Sequence, residues 1–287
     1  MAKNYRSELV GAFGCPIDEN PTGVMEEAAF REKGLDYRYL TIKVEPGNLK
    51  AAMEGVRAFG MKGINLTIPH KVEVLRYLDE LSPAAEIIGA VNTVIHKDGR
   101  LYGENTDGKG FLLSLEKEGV SLTGKKIAIL GAGGAARAIA VECALAGASR
   151  IIIINRNGER GKELTELLKK RTKAETSFLP FVPGIDVPEN TDILINATSI
   201  GLYPDCDKKP EINYDSISKK MVAADVVFNK PNTLFLAEAG KRGAKTINGL
   251  GMLANQGAMN FKLWTGVEAP LAVMEQTLRQ EFGLEEG

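Results

Sequence analysis

Short apolar runs alternate with stretches of helical spacing in the first third of the chain. Apolar and polar residues alternate from Tyr37 to Lys43, helical spacing follows from Asn48 to Phe59, and Gly63 to Ile68 is a short apolar run. Alternation of this kind predicts a strand, whereas helical spacing predicts an amphipathic helix. This segment therefore predicts strands and helices in alternation, which is typical of an α/β domain.

A hairpin follows and closes the first domain. Ala90 to His96 and Leu101 to Gly103 flank the dipeptide Asp98-Gly99, and Asp-Gly favours a tight turn with positive φ. The next pattern predicts a helix from near Thr106 toward Glu118. We place the domain boundary on this helix, so that the first domain comprises residues 1–107.

Five short apolar runs lie between helical stretches in the second half of the chain. They are Lys125 to Leu130, Arg150 to Ile154, Ile193 to Asn196, Val222 to Val226 and Lys245 to Ile247. Such alternation predicts a Rossmann-like, doubly wound parallel sheet with right-handed crossovers. This domain spans residues 108–248, and residues 249–287 predict two helices, about Met252 to Leu263 and Pro270 to Phe282, that return to the first domain.

Composition and charge narrow the function classes. The 287 residues carry 36 Lys and Arg against 37 Asp and Glu, so the net charge of -1 provides no overall basic field for nucleic acid or an anionic membrane. No apolar run approaches the roughly 20 residues that span a bilayer. Two histidines and three cysteines (Cys15, Cys143 and Cys206) show neither metal-ligand spacing nor a secretory pattern. We therefore expect a cytoplasmic protein without a metal, whose partner is a small molecule.

A glycine-rich loop follows the strand that ends at Leu130. It consists of Gly131, Ala132, Gly133, Gly134, Ala135 and Ala136, a G-x-G-x-x-A fingerprint at the start of an apolar helix. Gly131 permits a tight turn, Gly133 lets the backbone approach a pyrophosphate, and Ala136 lets helix and strand pack closely. A turn without a ligand is the alternative, but strand, glycines and helix together favour a dinucleotide site.

The residues after the next strand concern the choice of cofactor. A Rossmann domain that prefers NAD usually has an acidic residue about 20 positions after the loop, where it binds the ribose. Asn155 stands there, and Arg156 and Arg160 follow. Two guanidinium groups favour a 2'-phosphate and therefore NADP. NAD stays open as a second cofactor. One alternative is that both arginines are solvated surface charges, and another is that Glu159 contacts the ribose.

Four polar segments interrupt the apolar elements. They are Asn-Leu-Thr-Ile-Pro-His-Lys at 65–71, Gly-Ala-Val-Asn-Thr-Val at 89–94, Gly-Glu-Asn-Thr-Asp-Gly at 103–108, and Gly-Leu-Gly-Met-Leu-Ala-Asn-Gln-Gly at 249–257. In this order, and over nearly the whole chain, the segments resemble motifs of the shikimate and quinate dehydrogenase family.

The resemblance implies a substrate domain, a Rossmann-like NAD(P) domain, a cleft between them, and reversible hydride transfer at a ring secondary alcohol. It implies that Lys71 is the acid/base and pairs with Asp107. A lysine between a carboxylate and a hydroxyl can relay the proton that alcohol oxidation releases. The alternatives are a solvated Lys71 and an Asp107 that stabilises a helix N-terminus.

Further roles also follow from the resemblance alone. Asn92 and Thr67 hold ring hydroxyls, and Gln256 reaches the substrate. Thr198 flanks the nicotinamide, and Met252 packs near the same ring. A simple turn at Thr198 and a core position for Met252 are the alternatives.

The chain departs from the family at the substrate end. The family usually has a Ser-x-Ser pair that holds the substrate carboxylate, and Asn20 and Thr22 occupy those places. Glu19 replaces a common histidine, and Phe228 replaces a tyrosine whose hydroxyl meets the substrate. Two altered polar contacts are enough to redirect specificity, because each commonly contributes about 1–3 kcal/mol.

The sequence thus predicts an NAD(P)-dependent oxidoreductase of shikimate, quinate or a related cyclitol. The segment Phe261 to Gly266 is closer to the quinate/shikimate branch, so both a role in aromatic amino acid biosynthesis and a catabolic role stay open. Two alternatives are a dehydrogenase with a shifted, non-shikimate substrate and a dinucleotide-binding sensor without turnover. The oligomeric state is also open, with a homodimer as one alternative.

Overall fold

The computed structural model describes residues 5–230 and 232–284, which form two units. The first unit comprises the described residues up to Thr106 together with those from Gln256 onward, and the second runs from Asp107 to Asn255. The sequence places the return to the first unit at residue 249. In the structure the helix that begins at Leu250 spans the division, so the return comes at Gln256.

The first unit contains six strands and six helical segments within its described residues. Its strands are β1 (Glu8–Gly14), β2 (Tyr37–Lys43), β3 (Gly63–Leu66), β4 (Glu80–Leu81), β5 (Thr93–Lys97) and β6 (Arg100–Glu104). Its helices are α1 (Thr22–Glu32), α2 (Leu49–Ala58), α3 (His70–Glu73), which continues as a 3-10 turn (Val74–Tyr77), α4 (Pro83–Ile88) and, after the second unit, α10 (Leu271–Glu281).

These six strands form one mixed sheet in the order β2-β1-β3-β5-β6-β4. Strands β1, β2 and β3 are parallel, and β5 pairs antiparallel with both β3 and β6. The predicted hairpin is the β5–β6 pair, and Asp98 and Gly99 at its turn both have positive φ. Leu49, Met53 and Val56 of α2 are buried, since this spacing puts them on one helix face.

The second unit begins with α5 (Thr106–Lys117), whose first residue closes the first unit. Its strands are β7 (Lys126–Leu130), β8 (Arg150–Asn155), β9 (Glu175–Pro180), β10 (Ile185–Asp186), β11 (Ile193–Asn196), β12 (Ile212–Asn213), β13 (Val222–Asp225) and β14 (Lys245–Ile247). Its further helices are α6 (Gly134–Leu145), α7 (Gly158–Arg171), a 3-10 turn (Tyr214–Ser216), α8 (Leu234–Lys241) and α9 (Leu250–Thr265), which crosses into the first unit.

Six of these strands form a parallel sheet in the order β14-β13-β11-β7-β8-β9. The predicted fold class, an α/β chain with a Rossmann-like parallel sheet, is confirmed. Four consecutive buried isoleucines, 151–154, form the middle of β8, as a strand covered on both faces requires. The sequence does not predict β9, because this edge strand is only half-buried and lacks a clear apolar alternation.

No helix in the described part of the chain is long and apolar enough to cross a membrane.

Candidate active site

Lys71 lies in the first unit, in the short helix α3 just after β3. Its backbone carbonyl accepts a hydrogen bond from the Val91 amide at 2.8 Å. The preceding residue, His70, is completely buried, and its Nε2 lies 2.7 Å from the Val44 carbonyl oxygen, to which it must donate. These two bonds hold the backbone on both sides of Lys71, while the lysine side chain itself is half-buried.

Thr67 lies between β3 and this helix. Its backbone amide donates to the Phe13 carbonyl at 3.0 Å, and its side chain packs against Gly14. A Cβ at Gly14 would lie only 2.3 Å from Thr67 Cγ2. The absence of a side chain at Gly14 therefore lets the carboxyl ends of β1 and β3 approach each other beside Thr67.

A buried network of amides and hydroxyls surrounds Asn92. Asn92 is 3% exposed, and its Nδ2 donates to Thr106 Oγ1 at 3.0 Å. Its Oδ1 accepts from the Thr106 backbone amide at 2.8 Å. Asn65 donates through Nδ2 to Thr93 Oγ1 at 3.1 Å. Buried polar groups bonded in this way hold one orientation, so the network fixes the Asn92 side chain.

Helix α9 contributes Asn260 and Gln256 to the same network. Asn260 Oδ1 accepts from the hydroxyls of Thr93 at 2.8 Å and Thr106 at 2.9 Å. Asn260 Nδ2 donates to Gln256 Oε1 at 3.0 Å. The structure therefore brings Asn92 and Gln256, two residues predicted from distant segments, into one hydrogen-bonded group of the first unit.

The substituted residues Asn20 and Thr22 lie at the start of α1. Asn20 is half-buried, and its Oδ1 accepts from the Thr22 backbone amide at 2.9 Å, closing an Asx turn. Thr22 is 6% exposed. Glu19 is exposed, so solvent screens the negative charge that the sequence places near this segment.

Glu26 lies one turn further along α1 and was missed by sequence analysis. It is completely buried, and neither of its carboxyl oxygens has a hydrogen-bond partner among the described residues. Burial raises the pKa of Glu26 well above its usual range. The nearby Tyr39 hydroxyl donates to Asn65 Oδ1 at 2.9 Å. Burial and then the Glu26 carboxyl raise the pKa of Tyr39, whereas a hydrogen bond from Thr22 lowers it.

The glycine-rich loop of the second unit joins β7 to α6. Gly131 has a φ of 113°, and a Cβ there would lie 2.9 Å from the Ala197 carbonyl oxygen. Gly133 and Gly134 are exposed, and a Cβ at either meets no atom within 4 Å. The turn thus needs glycine at 131 for its own conformation, whereas positions 133 and 134 leave open space at the N-terminus of α6.

The remaining loop residues lie around this helix start. Ala132 and Ala135 are half-buried, and Ala136, in the first turn of α6, is completely buried. Backbone amides at a helix N-terminus bind phosphate groups, helped by the helix dipole. The observed loop therefore fits the pyrophosphate of a dinucleotide.

Asn155 ends β8, the strand next to this loop. Its Nδ2 donates to the Asn157 carbonyl at 2.8 Å. Asn157 caps α7 by accepting from the Arg160 amide at 3.0 Å. Arg156 and Arg160 are both exposed, one just before this cap and one in the first turn of α7. Their guanidinium groups are therefore available to an anion near the end of β8.

A second buried group lies at the carboxyl ends of β11 and β13. Asn196 Nδ2 donates to Asp225 Oδ1 at 3.0 Å, and Thr233 Oγ1 donates to Asp225 Oδ2 at 2.7 Å. Asn196 Oδ1 accepts from the Thr198 hydroxyl at 2.6 Å. Asp225 is completely buried, and this burial raises its pKa to about 6. Asp225 thus connects the loop that carries Thr198 to the segment before α8.

Three predicted residues lie outside these groups. Asp107 is half-buried in the first turn of α5 and is the first residue of the second unit. Phe228 is half-buried after β13. Met252 in α9 is 8% exposed, which agrees with the alternative of a core position.

Glu26, Asn260 and Asp225 are not among the site residues that the sequence predicts. Two of them had a detectable signal, because Glu26 follows Thr22 by one helical turn and Asn260 follows Gln256 by one turn, which places each pair on one helix face. For Asp225 the only signal in the sequence is its position at the end of a predicted apolar strand.

The parallel sheet, the glycine-rich loop and the polar network of the first unit define a two-domain, NAD(P)-dependent oxidoreductase. Three family descriptions match the chain: "Shikimate dehydrogenase substrate binding domain" over residues 12–94, "Shikimate / quinate 5-dehydrogenase" over 114–203 and "Shikimate 5'-dehydrogenase C-terminal domain" over 249–279. The chain belongs to the shikimate dehydrogenase family.

Individual relatives agree along nearly the whole length. A shikimate dehydrogenase (NADP(+)) of Methanocaldococcus jannaschii is 45% identical, covering 96% of this chain and 97% of the relative. A ligand-free 5-ketofructose reductase of Gluconobacter sp. strain CHM43 has a TM-score of 0.92 at 46% identity, covering 97% of this chain and 100% of that one. A shikimate dehydrogenase in complex with NADP+ has a TM-score of 0.90 at 42% identity, covering 97% of both chains.

Proposed function

We propose that this protein is an NADP-dependent oxidoreductase that interconverts a ring secondary alcohol and the corresponding ketone, in the manner of shikimate and 3-dehydroshikimate. The observation that carries the proposal is the Asn92–Thr106–Asn260–Gln256 network beside the Lys71 segment. The network consists of amides and hydroxyls, the kinds of group that bind a polyhydroxylated ring. Relatives named shikimate dehydrogenase (NADP(+)) support the reaction and the cofactor.

Lys71 is the acid/base in this proposal. NADPH held by the second unit would supply the hydride for reduction of the ketone carbon, and NADP+ would accept it in the oxidation. The Lys71 ammonium donates a proton to the ketone oxygen as it becomes a hydroxyl, and neutral Lys71 removes that proton during oxidation. Asp107 stabilises the protonated lysine, while Thr67, Asn92 and Gln256 orient the ring.

The second unit holds the cofactor. Gly131, Ala132, Gly133, Gly134 and Ala135 form the pyrophosphate loop, and Arg156 and Arg160 bind the 2'-phosphate beside Asn155. Open space at Gly133 and Gly134 supports this assignment. Thr198 and Met252 are proposed to lie near the nicotinamide, and Phe228 near the substrate.

The test measures absorbance of reduced nicotinamide with shikimate and quinate, each with NADP+ and NAD+. We expect NADP-dependent turnover that falls by roughly 10²–10⁴ in Lys71→Ala, because general acid–base catalysis contributes about that factor. The exposed Lys97 at the end of β5 provides the control variant Lys97→Ala. Wild-type rates in Lys71→Ala would disprove the mechanism.

We also propose a cytoplasmic location, which the three free cysteines support. A homodimer is the proposed assembly, and sedimentation equilibrium tests it directly. A monomeric mass at assay concentrations would rule the homodimer out.

A further inference from the structure

The first unit holds an acid that the proposed mechanism does not use. Glu26 has no exposed surface, and both of its carboxyl oxygens are without a hydrogen-bond partner among the described residues. Buried side-chain polar atoms nearly always have a partner. Packing alone therefore does not account for a buried carboxyl group at this position.

The position of Glu26 connects it to the predicted substrate end. Glu26 follows Thr22 by one turn of α1, so both side chains lie on the same helix face. The same turn of α1 contacts Tyr39, since a Cβ at Gly23 would lie 3.0 Å from Tyr39 Cδ1. The Tyr39 hydroxyl in turn donates to Asn65, a member of the Asn92 network. Glu26 thus lies at the Asn20–Thr22 end of the proposed substrate site.

One donor at this end is already engaged within the protein, since the Thr22 backbone amide donates to Asn20 Oδ1 at 2.9 Å. Thr22 itself is 6% exposed. Neither carboxyl oxygen of Glu26 has a hydrogen-bond partner among the described residues, so no cationic side chain there is bonded to this buried acid. Burying a ligand carboxylate is unfavourable unless a cation or several donors compensate for it. A buried acid provides neither.

We propose that Glu26, together with Asn20 and Thr22, selects ligands that carry an uncharged hydroxyl at this end instead of a carboxylate. The substrate class is then an uncharged polyhydroxylated ketone and its alcohol. Protonated Glu26 has one O–H donor and remaining acceptor capacity, which suits a hydroxyl that both donates and accepts. The inference rests on the proposed function. It keeps the same reaction and restricts the substrates to uncharged compounds. The similarity to a 5-ketofructose reductase supports the same class.

A matched pair of ligands tests this charge selection. The pair is shikimate and its analogue in which a hydroxymethyl group replaces the carboxylate, so that the ring hydroxyls stay the same. Binding is measured through the fluorescence of Trp264, the single tryptophan of the chain, whose ring centroid lies 6.3 Å from that of Tyr39. Turnover with NADP+ is measured in parallel.

We expect the wild-type protein to bind the hydroxymethyl analogue at least about tenfold more tightly than shikimate, the discrimination that one unfavourable buried contact supplies. Glu26→Gln should raise the affinity for shikimate relative to the analogue, because the amide has two N–H donors where the protonated acid has one O–H donor. Glu26→His should raise it further, since an imidazolium pairs with a carboxylate. Glu32→Gln, an exposed position at the end of the same helix, is the control and should leave the ratio unchanged.

The two readouts separate this inference from the proposed reaction. Tighter binding of shikimate by the wild type, or an unchanged ratio in folded Glu26→Gln, would overturn the selection by Glu26 even if turnover occurs. If the expected binding ratio is found but no turnover occurs, the selection by Glu26 against a carboxylate is supported and the proposed oxidoreductase reaction is overturned. If Glu26→His fails to fold, the near-isosteric Glu26→Gln decides alone.

Discussion

The hydroxyl of Thr93 donates a hydrogen bond to Oδ1 of Asn260 at 2.8 Å, although the two residues lie 167 positions apart in the chain. Thr93 begins β5, and Asn260 lies in α9 after the entire second unit. Asn260 also accepts from Thr106 and donates to Gln256. One amide thus holds together the returning helix and the polar network of the first unit.

We predict that Asn260→Ala destabilises the first unit. The substitution removes one buried hydrogen bond each from Thr93 and Thr106, which keep their bonds to Asn65 and Asn92. It also removes the bond that Gln256 Oε1 accepts. A buried group left unpaired costs about 1–3 kcal/mol, so we expect a total of roughly 2–4 kcal/mol after relaxation. Urea unfolding measures the loss, and a raised KM should accompany it because Gln256 loses its anchor.

Asn255→Ala is the matched control for this experiment. Asn255 is also buried in α9, but within the described residues its side chain bonds to the Gly251 carbonyl of its own helix and to no other residue. We expect a smaller loss of about 1 kcal/mol. Equal losses in the two variants would show that the network around Asn260 adds no stability.

Gly131 and Gly133 should respond differently to alanine. Gly131→Ala forces a side chain into a positive φ and against the Ala197 carbonyl, which we expect to lower the free energy of unfolding by about 1–3 kcal/mol. Gly133→Ala meets no protein atom and should keep that free energy. Its methyl group instead occupies the space proposed for the pyrophosphate, so the Kd for NADPH should rise by tenfold or more, on the order of one lost phosphate contact.

Calorimetric titration with NADPH and thermal unfolding of both variants measure the two effects. Unchanged NADPH affinity in Gly133→Ala would place the cofactor elsewhere.

Asp225 should give the unfolding free energy a pH dependence. Burial raises its pKa from 3.8 to about 6. Because the folded-state pKa is the higher one, the stabilisation from this group is complete below the unfolded pKa and is lost as the pH rises through about 6. Relative to Asp225→Asn, the wild type should therefore lose about 2 kcal/mol of unfolding free energy between about pH 4.5 and about pH 7.5.

Urea unfolding of the two proteins at both pH values measures this difference. Asp225→Asn keeps the size of the side chain, and other titrating groups cancel in the comparison. If the difference in unfolding free energy between the wild type and Asp225→Asn does not change with pH, Asp225 does not titrate in this range.

Arg156 should determine the preference for NADP. Removing a charge-assisted contact to the 2'-phosphate in Arg156→Ala should lower kcat/KM for NADP by roughly 10–100-fold and change that for NAD little. Arg160→Ala should have the same direction of effect. Lys162→Ala, an exposed cation in the same helix as Arg160, controls for the general loss of positive charge. Equal losses with both cofactors would assign the arginines another role.

The sequence by itself determined the elements whose signals are local. The alternation at Tyr37–Lys43 corresponds to β2, and Ile193–Asn196 and Lys245–Ile247 are strands with the predicted bounds. The loop after Leu130 was also predictable, because strand, glycines and helix are adjacent in the chain. Periodicity and turn chemistry act over a few residues, so they can be read without knowledge of the fold.

Only the tertiary structure decided which polar residues meet and which are buried. Asn260 reaches Thr93 across 167 positions. The one-turn spacing from Thr22 puts Glu26 on the same helix face, but it does not show that Glu26 is buried while Glu32 of the same helix is exposed. Edge strand β9 went undetected for the related reason that its pairing with β8, not its own periodicity, makes it a strand. Burial and hydrogen bonding depend on what packs against a residue, and those neighbours come from distant parts of the chain.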